Sequence, residues 1–294
     1  MSPRNVARVV EAVLTSEGVG AKVRRSIGTA GLQRLNPFLM LDHAFVPPGA
    51  GFPDHPHRGF ETVTYVLDGS IAHEDFTGST GVISTGDLQF MTAGRAIVHA
   101  EMPIAREDGQ PVVGMQLWVS LEEGMRDVEP RYRDMRDAEI PHARPSPGVD
   151  IKVISGDAYG VHARNEIPIS YTPMIMLDVR MQKDTQISQP IPQGWNAFLY
   201  TLSGSGTTGA TKFSMYDNVV FNTAGDSVDV RNDRDDELRV LLVAGKPNTG
   251  EIMQYGPFVS NSKEGLQKAF HDYQAHLNGF ERAEGWHSKI GGIV

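Results

Sequence analysis

Four residues in two short segments have the types and the spacing of a metal site. One residue separates His55 from His57, and one residue separates His99 from Glu101. In an extended strand side chains alternate between the two faces, so residues two apart project to the same side. Each pair can therefore direct two donor atoms into one cavity. If the two strands face each other, three imidazoles and a carboxylate converge.

The identity of the metal is open at this level. Imidazole suits zinc, copper, iron and nickel, and a histidine–carboxylate set with open positions is typical of non-haem Fe(II) oxygenases. A closed tetrahedral shell would instead indicate structural zinc. The carboxylate is open as well, because Glu61 shares the parity of His55 and His57 if no bulge intervenes at Gly59.

The elements around these residues are short strands punctuated by glycine. Between Phe60 and Val119 the pattern includes Asp68-Gly69, a strong hairpin signal, and it contains no helical stretch. Strands at this spacing predict an antiparallel sandwich or barrel. A charged, proline-rich stretch then indicates a boundary. We therefore expect an N-terminal metal-binding domain over 1–135, a linker over 136–148 and a C-terminal domain over 149–294.

The second half of the chain repeats the first. Similar segments recur in the same order at nearly constant offsets: 37–42 with 173–178, 55–69 with 190–204, and 85–90 with 224–229. A constant period is the signature of repeated architecture. In this alignment Pro190 and Pro192 replace the first histidine pair, and residues 238–241 replace the second pair. Only the N-terminal copy is predicted to keep a metal site.

Composition excludes several classes of protein. The chain has 294 residues, 40% of them hydrophobic and 21% charged, which is typical of a globular protein with a sizeable core. The absence of cysteine excludes disulfides and thiolate catalysis. A net charge of −9 argues against general affinity for nucleic-acid backbone. With no signal peptide and no apolar stretch long enough to span a bilayer, we expect an intracellular protein that does not enter membranes.

One helix is predicted near the C-terminus. Leu266, Phe270, Tyr273 and Leu277 recur at helical spacing, and Asn261 is the predicted N-cap.

The motifs together resemble the pirin family. FPDHPHRGFETVTYVLDG, AHEDFTG, GDLQFMTAGRAIVHAEMP and MQLWV carry the similarity in the first half, and SQPIPQGW, YGPFVSN and NGFERAEGWHSKIG carry it in the second. The glycine-spaced histidines also look like the paired cupin motifs. The resemblance implies an all-β fold of two tandem cupin (jelly-roll) β-barrel domains with a short C-terminal α-helix. It implies a monomer with metal in the first domain only.

The resemblance also implies a cofactor and its ligands. One Fe(2+) per chain would lie in the N-terminal domain, with Mn, Co, Ni or Zn as substitutes. The implied ligands are His55, His57, His99 and Glu101, because the pirin-like HAE segment favours Glu101 over Glu61.

The implied activity is that of a quercetin 2,3-dioxygenase, which opens the flavonol heterocycle with O2 and releases carbon monoxide. A flavonol-type small molecule and O2 would then be the partners. Glu101 is the candidate base for the proton of the flavonol 3-hydroxyl. Phe52, Met91 and Trp118 are candidates for the apolar wall against the flavonol rings, with ordinary core packing as the alternative.

A competing function also follows from the resemblance. Pirin-like proteins look like nuclear co-regulators that bind transcription factors, with the oxidation state of iron as the switch. This function would place the protein in the cytoplasm and the nucleus. Arg24 and Arg25 in the segment KVRRSIG are the candidate partner surface, and a solvated loop face is the alternative. Direct binding to nucleic acid is not expected.

Overall fold

The computed structural model describes residues 1–163 and 170–291. Twelve strands lie in the first 135 residues: β1 (Val6–Glu11), β2 (Val13–Glu17), β3 (Ala21–Ile27), β4 (Phe38–Val46), β5 (Phe52–His57), β6 (Phe60–Asp68), β7 (Ser70–Asp75), β8 (Thr80–Ser84), β9 (Leu88–Thr92), β10 (Ile97–Pro103), β11 (Val112–Ser120) and β12 (Arg131–Met135).

The rest of the described chain adds β13 (His142–Ala143), β14 (Val149–Ser155), β15 (Asp157–Ala158), β16 (Val161–His162), β17 (Met174–Met181), β18 (Thr185–Pro190), β19 (Asn196–Ser203), β20 (Ser205–Thr208), β21 (Thr211–Ser214), β22 (Asp217–Phe221), β23 (Ser227–Asn232), β24 (Leu238–Gly245), β25 (Met253–Tyr255), β26 (Phe258–Ser260) and the helix α1 (Lys263–Ala275). Single 3-10 turns occur at Glu123–Met125, Asp137–Glu139 and Glu281–Ala283. Among the described residues, no helix has the length and hydropathy needed to cross a membrane.

The strands form two compact units with the same sheet order. In the first unit a seven-stranded sheet runs β12-β9-β6-β11-β4-β3-β2, beside a four-stranded sheet β5-β10-β7-β8. In the second unit the order β1-β22-β19-β24-β17-β14-β13 accompanies β18-β23-β20-β21. The pairings between these strands are antiparallel, as the short glycine-bounded strands predict. The predicted all-β fold with two tandem barrels is confirmed.

The N-terminal strand belongs to the second unit, and the C-terminal segment belongs to the first. The first unit comprises the described residues of Leu14–Arg25, Phe38–Asp137 and Asn248–Val294, and the second comprises those of Met1–Val13, Ser26–Pro37 and Ala138–Pro247. These bounds differ from the predicted ranges at both termini. Strand β1 pairs with β22, far along the chain, and the segment after β24 packs on the first unit. Strands that are far apart in the sequence can pair, so the change in composition at 136–148 did not show to which unit each chain end belongs.

The predicted C-terminal helix is present, but its cap differs. Ser262, in extended conformation, accepts a 3.0 Å hydrogen bond from the Gly265 N–H and is the N-cap of α1. Asn261 was the predicted cap, so the start of the helix is one residue later. The buried side of α1, centred on Ala269 and Phe270, belongs to an apolar cluster that includes Ile97 of β10.

Candidate metal centre

Strands β5 and β10 bring the three histidines to one face of the four-stranded sheet. His55 is directly opposite His99, and His57 is opposite Ile97. Directly paired residues project to the same side of a sheet, as do residues two apart on one strand. Pro56 between the two histidines is tolerated because β5 lies at the edge of its sheet, where a missing N–H leaves no ladder bond broken.

The imidazoles converge closely enough to share an ion. One ring nitrogen of each histidine lies within 4.8 Å of the others, and among the described residues this is the one such group of three or more possible ligands. The Nε2 atoms of His55 and His99 are 3.0 Å apart. His55 Nδ1 lies 2.8 Å from the carbonyl oxygen of Pro53, so it carries the proton and leaves the Nε2 lone pair facing His99.

Burial keeps His57 and His99 in the protonation state that binds metals. Desolvation lowers the pKa of His57 and of His99 well below the usual range, and the neighbouring histidines lower it further. Neutral imidazoles offer lone pairs, which metal coordination requires.

The donor arrangement agrees with a bound cation. Two imidazole nitrogens at about 2.1 Å from one ion and at right angles to each other would be about 3.0 Å apart, as His55 and His99 are. The buried Nδ1 atom of His57 has no hydrogen-bond partner in the described chain. A site with unpaired polar atoms is costly for a core and typical of a binding site. The three histidines can therefore hold a metal ion in the first unit.

Glu101 lies on the same face of β10 as His99 but outside the close nitrogen cluster. Thr64 Oγ1 donates to Glu101 Oε1 at 2.9 Å, and Gln116 Nε2 donates to Oε2 at 3.1 Å. These two residues belong to the seven-stranded sheet, so their bonds cross the interior between the sheets. The carboxylate is buried and fixed in orientation from the opposite wall.

Glu61 faces away from this interior. It pairs with Thr92 on β9, whose hydroxyl donates to the Glu61 carboxylate at 2.7 Å. Thr64 points inward to Glu101, and a residue three positions away on the same strand projects to the other face. The chain turns at Gly59, where φ is +87°, so parity is not carried from β5 into β6. The alternative in which Glu61 shares the face of His55 and His57 does not occur.

The three candidate pocket residues lie in different places. The Trp118 ring packs edge-on against His57 at 5.2 Å between centroids, and it also contacts Phe60. Met91 is fully buried in the apolar cluster beneath α1, and Phe52 packs against a small cluster around Ala50. Of these three residues, Trp118 is the one for which the described structure gives a contact with a histidine of the cluster.

Sequence reasoning missed several polar residues that line the interior. Gln116 interrupts an otherwise apolar run in β11, which is a signal in the sequence, whereas Thr64 lies among other polar residues of β6. Tyr132 on β12 has a buried hydroxyl beside the Asp75 carboxylate, without the geometry of a hydrogen bond. Burial, with Asp75 adding to it, raises the pKa of Tyr132 well above its usual value, so the phenol stays protonated.

Arg25, a candidate partner residue, is held within the first unit. Its Nε and Nη2 donate to the two carboxylate oxygens of Asp42 at 2.7 and 2.6 Å, and Nη2 also donates to Glu17. The hydrogen bonds with Asp42 raise the pKa of Arg25. The guanidinium is therefore committed to a fork-shaped intramolecular ion pair, which reduces what it could offer a partner. Arg24 beside it is half-buried.

The positions that correspond to the histidines in the second unit differ from the alignment. By strand order β18 corresponds to β5 and β23 to β10. The turn Thr-Ala-Gly precedes both β10 and β23, and counting from it Val230 takes the place of His99. Val230 pairs with Ile187, which takes the place of His55, and Gln189 takes that of His57. The assignment of Pro190, Pro192 and residues 238–241 is therefore wrong.

The reason for this error is a difference in loop length. Residues 58–59 connect β5 to β6, whereas the longer stretch 191–195 connects β18 to β19. Aligning the glycines of the two loops shifts the preceding strand out of register. Among the described residues of the second unit, no group of three metal-ligating side chains occurs.

Known proteins share both the sequence and the fold of this chain. Pirin from Homo sapiens is 47% identical over 282 residues, covering 94% of each chain, and a pirin-like protein from Solanum lycopersicum is 44% identical over 290 residues, covering 98% of this chain and 97% of the relative. The crystal structure of a quercetin 2,3-dioxygenase from Acinetobacter baumannii superposes with a TM-score of 0.86 at 26% identity, covering all of both chains. The Pirin family model matches residues 20–119, and the model of the pirin C-terminal cupin domain matches residues 176–279. The chain therefore belongs to the pirin family.

Proposed function

We propose that this chain is a non-haem iron protein with quercetin 2,3-dioxygenase activity, which opens the flavonol ring with O2 and releases carbon monoxide. The observation that carries the proposal is the buried group of His55, His57 and His99, with ring nitrogens within 4.8 Å of one another. Similarity to the Acinetobacter baumannii protein named a quercetin 2,3-dioxygenase supports the reaction class.

The proposed ligands are the three histidines and Glu101. The two hydrogen bonds from Thr64 and Gln116 hold the Glu101 carboxylate toward the shared interior, the usual way in which a protein orients a ligating carboxylate. Iron is the proposed metal, and Mn, Co, Ni or Zn are substitutes that the same donor set accepts.

Glu101 has a second proposed role as the base. It is the one carboxylate placed on the histidine face of β10, and its proton acceptance would convert the flavonol 3-hydroxyl into an anion. Thr64 and Gln116 would keep the carboxylate in place as its charge changes. Bound iron would supply the redox chemistry with dioxygen and Lewis acidity toward the flavonol oxygen.

The aromatic face of the site is the proposed substrate wall. Trp118 is partly buried and contacts His57, so a planar ring system beside the metal would meet its indole. Met91 pairs with Tyr132 and with Thr62, so it faces the same interior as Thr64, whereas Phe52 packs against a separate small cluster.

Metal-defined turnover tests this proposal. The apo protein is loaded anaerobically with Fe(II), and separately with Mn, Co or Ni, and is then mixed with quercetin and O2 while carbon monoxide is measured. Stoichiometric carbon monoxide with at least one metal is expected. Metal binding without carbon monoxide from any metal would overturn the dioxygenase proposal and leave the metal site intact.

A redox-dependent transcriptional co-regulator that acts by protein–protein binding is the competing function. Its designated contact, Arg25, is bound to Asp42 and Glu17, so Arg25→Glu would break a partly buried ion pair before it tested a partner surface. Comparing partner affinity of the ferrous and ferric forms is the cleaner test. The cytoplasmic and nuclear location stays a prediction from the resemblance.

A further inference from the structure

Three backbone hydrogen bonds connect the turn after His57 to two other segments of the chain, 257–259 and the turn at Gly94. The Arg58 N–H donates to the Pro257 carbonyl at 3.1 Å, and the Val259 N–H donates to the Arg58 carbonyl at 3.0 Å. The Gly59 N–H donates to the Gly94 carbonyl at 2.8 Å. A Cβ on Gly59 would lie 2.3 Å from the Val259 carbonyl oxygen, so the close approach requires glycine.

The Arg58 side chain joins both ligand-bearing strands to the C-terminal segment. Its Nε donates to the Arg95 carbonyl at 2.5 Å, in the turn that leads into β10. Its Nη1 donates to Asp272 Oδ2 on α1 at 2.8 Å, and its Nη2 donates to the Asn278 carbonyl at 2.7 Å. One guanidinium therefore spans the end of β5, the start of β10 and the helix.

The anchor on the helix is buried and charged. Asp272 is 1% exposed, and it also accepts from Lys268 Nζ and Asn278 Nδ2 at 2.7 and 2.8 Å. Burial alone would raise the pKa of Asp272, but the hydrogen bonds from Lys268, Arg58 and Asn278 outweigh it and lower the pKa to about 2. The ring of Phe280 lies 4.6 Å from the Arg58 guanidinium carbon. The ion pair is therefore held in a fixed, partly apolar setting.

The chain after the helix holds the other end of β5. Ser288 Oγ donates to the Asp54 carboxylate at 2.5 Å, and the Ser288 N–H lies 3.2 Å from its second oxygen. The Lys289 N–H donates to Glu74 on β7 at 2.8 Å. Asp54 precedes His55 and Arg58 follows His57, so the C-terminal segment binds the residues on both sides of the histidine pair.

We propose that Arg58 is a positioning residue of the metal centre with α1 as its anchor, so that metal binding at the histidines and docking of α1 are thermodynamically coupled. Metal ligands must be held close to their productive geometry by the residues that support them. The Asp272–Arg58–Arg95 chain fixes the spacing of the two strands that carry the ligands. The inference rests on the metal site of the proposed function and is independent of flavonol chemistry.

Coupling is reciprocal, which supplies two readouts besides activity. Removing the anchor should weaken metal binding, and binding metal should slow hydrogen exchange of the α1 amides. A role limited to holding the fold together would lower the melting temperature without either effect.

The test compares Asp272→Asn with Lys268→Gln. Lys268 also pairs with Asp272, but its side chain is 60% exposed and it does not contact the turn after His57 in any described bond. Affinity for Co(II) is measured by chelator competition, and the visible cobalt absorption reports the ligand geometry. We expect Asp272→Asn to weaken binding about tenfold and to shift the absorption, as the loss of a supporting residue usually does. Lys268→Gln should retain wild-type affinity.

Hydrogen exchange over 263–275 is then measured with and without Co(II). Protection by metal is expected in the wild type and in Lys268→Gln, and it should be lost in Asp272→Asn. If Asp272→Asn does not fold, Arg58→Lys keeps a positive charge beside Asp272 but cannot also bond to Arg95 and Asn278, and it should weaken Co(II) binding in the same direction. Wild-type affinity in a folded variant, or exchange of α1 that ignores metal, would overturn the coupling alone. A wild type that binds no Co(II), Fe(II) or Ni(II) would overturn the metal site and the coupling with it.

Discussion

The two units have the same strand order, but the interior of the first contains polar, potentially metal-ligating side chains and that of the second is mainly apolar. In the first unit His57, His99, Glu101 and Thr64 are all buried between the sheets. In the second unit the corresponding strands contribute Ile187, Val228 and Val230 to one large apolar cluster.

The difference shows what the site costs the first unit. Buried polar atoms without partners are unfavourable, and His57 Nδ1, His99 Nδ1 and Trp118 Nε1 are such atoms. The second unit also contains such atoms, among them Gln189 Oε1, but its interior is otherwise packed with apolar side chains, whose burial stabilises the unit. The same strand order therefore holds three imidazoles and a carboxylate in the first unit and mainly apolar side chains in the second.

The strongest test of this contrast gives the first unit the residues of the second. In His55→Ile combined with His57→Gln and His99→Val, none of the three histidines of the proposed site remains. We expect no detectable metal by elemental analysis, with apo stability equal to or above that of the wild type, because buried imidazoles are replaced mainly by apolar groups. Stoichiometric metal in this variant would show that the histidines are not the site.

Glu101→Gln tests whether the carboxylate does chemistry that the histidines cannot. The amide keeps a hydrogen bond with Thr64 but cannot take a proton at neutral pH, so turnover should fall by about 10² to 10⁴. Glu61→Gln is the matched control, since Glu61 is equally buried on the outward face. The two variants are compared by carbon monoxide release at equal metal content. Equal loss in both would remove the special role of Glu101.

Acid should destabilise the apo protein through the histidines. Burial lowers the folded-state pKa of His57 and His99, whereas a histidine in the unfolded chain has a pKa of about 6.5. Below about pH 6.5 the unfolded chain binds protons that the folded chain excludes, so the free energy of unfolding falls by about 1.4 kcal/mol per pH unit for each histidine. Above this window both states are neutral and the dependence ends.

Urea unfolding of metal-free protein between about pH 7.5 and about pH 5.5 measures this dependence. The triple variant should lose most of it, because its interior then resembles that of the second unit. If the free energy of unfolding depends on pH equally in the wild type and the triple variant, groups other than these histidines are responsible.

The smallest expected effect concerns Trp118. Trp118→Phe keeps an aromatic ring against His57 and Phe60 and removes the unpaired Nε1, so stability should change by about 1 kcal/mol or less. If the indole is part of the substrate wall, the KM for quercetin should rise while metal affinity stays constant. An unchanged KM would show that Trp118 contributes only to core packing and is not part of the substrate wall. Thermal unfolding and steady-state kinetics provide the two measurements.

Much of the site follows from the sequence because it depends on local geometry. The spacing of His55 to His57 and of His99 to Glu101 places each pair on one face of a strand, whatever the rest of the fold. Glycine turns and short strands indicated the all-β fold, and the motifs indicated the family. The helix was readable from its apolar period, although Ser262 and not its neighbour is the cap.

Tertiary structure alone decided the features that depend on pairing between distant strands. The turn at Gly59 put Glu61 on the outward face, and the longer loop before β19 put Val230, not residues 238–241, in the place of His99. The helix reaches the turn after His57 through Arg58 and Asp272, which are 214 positions apart. The register of paired strands depends on turn geometry and loop length as well as on the hydrophobic pattern, so the pattern of one segment does not determine its partner.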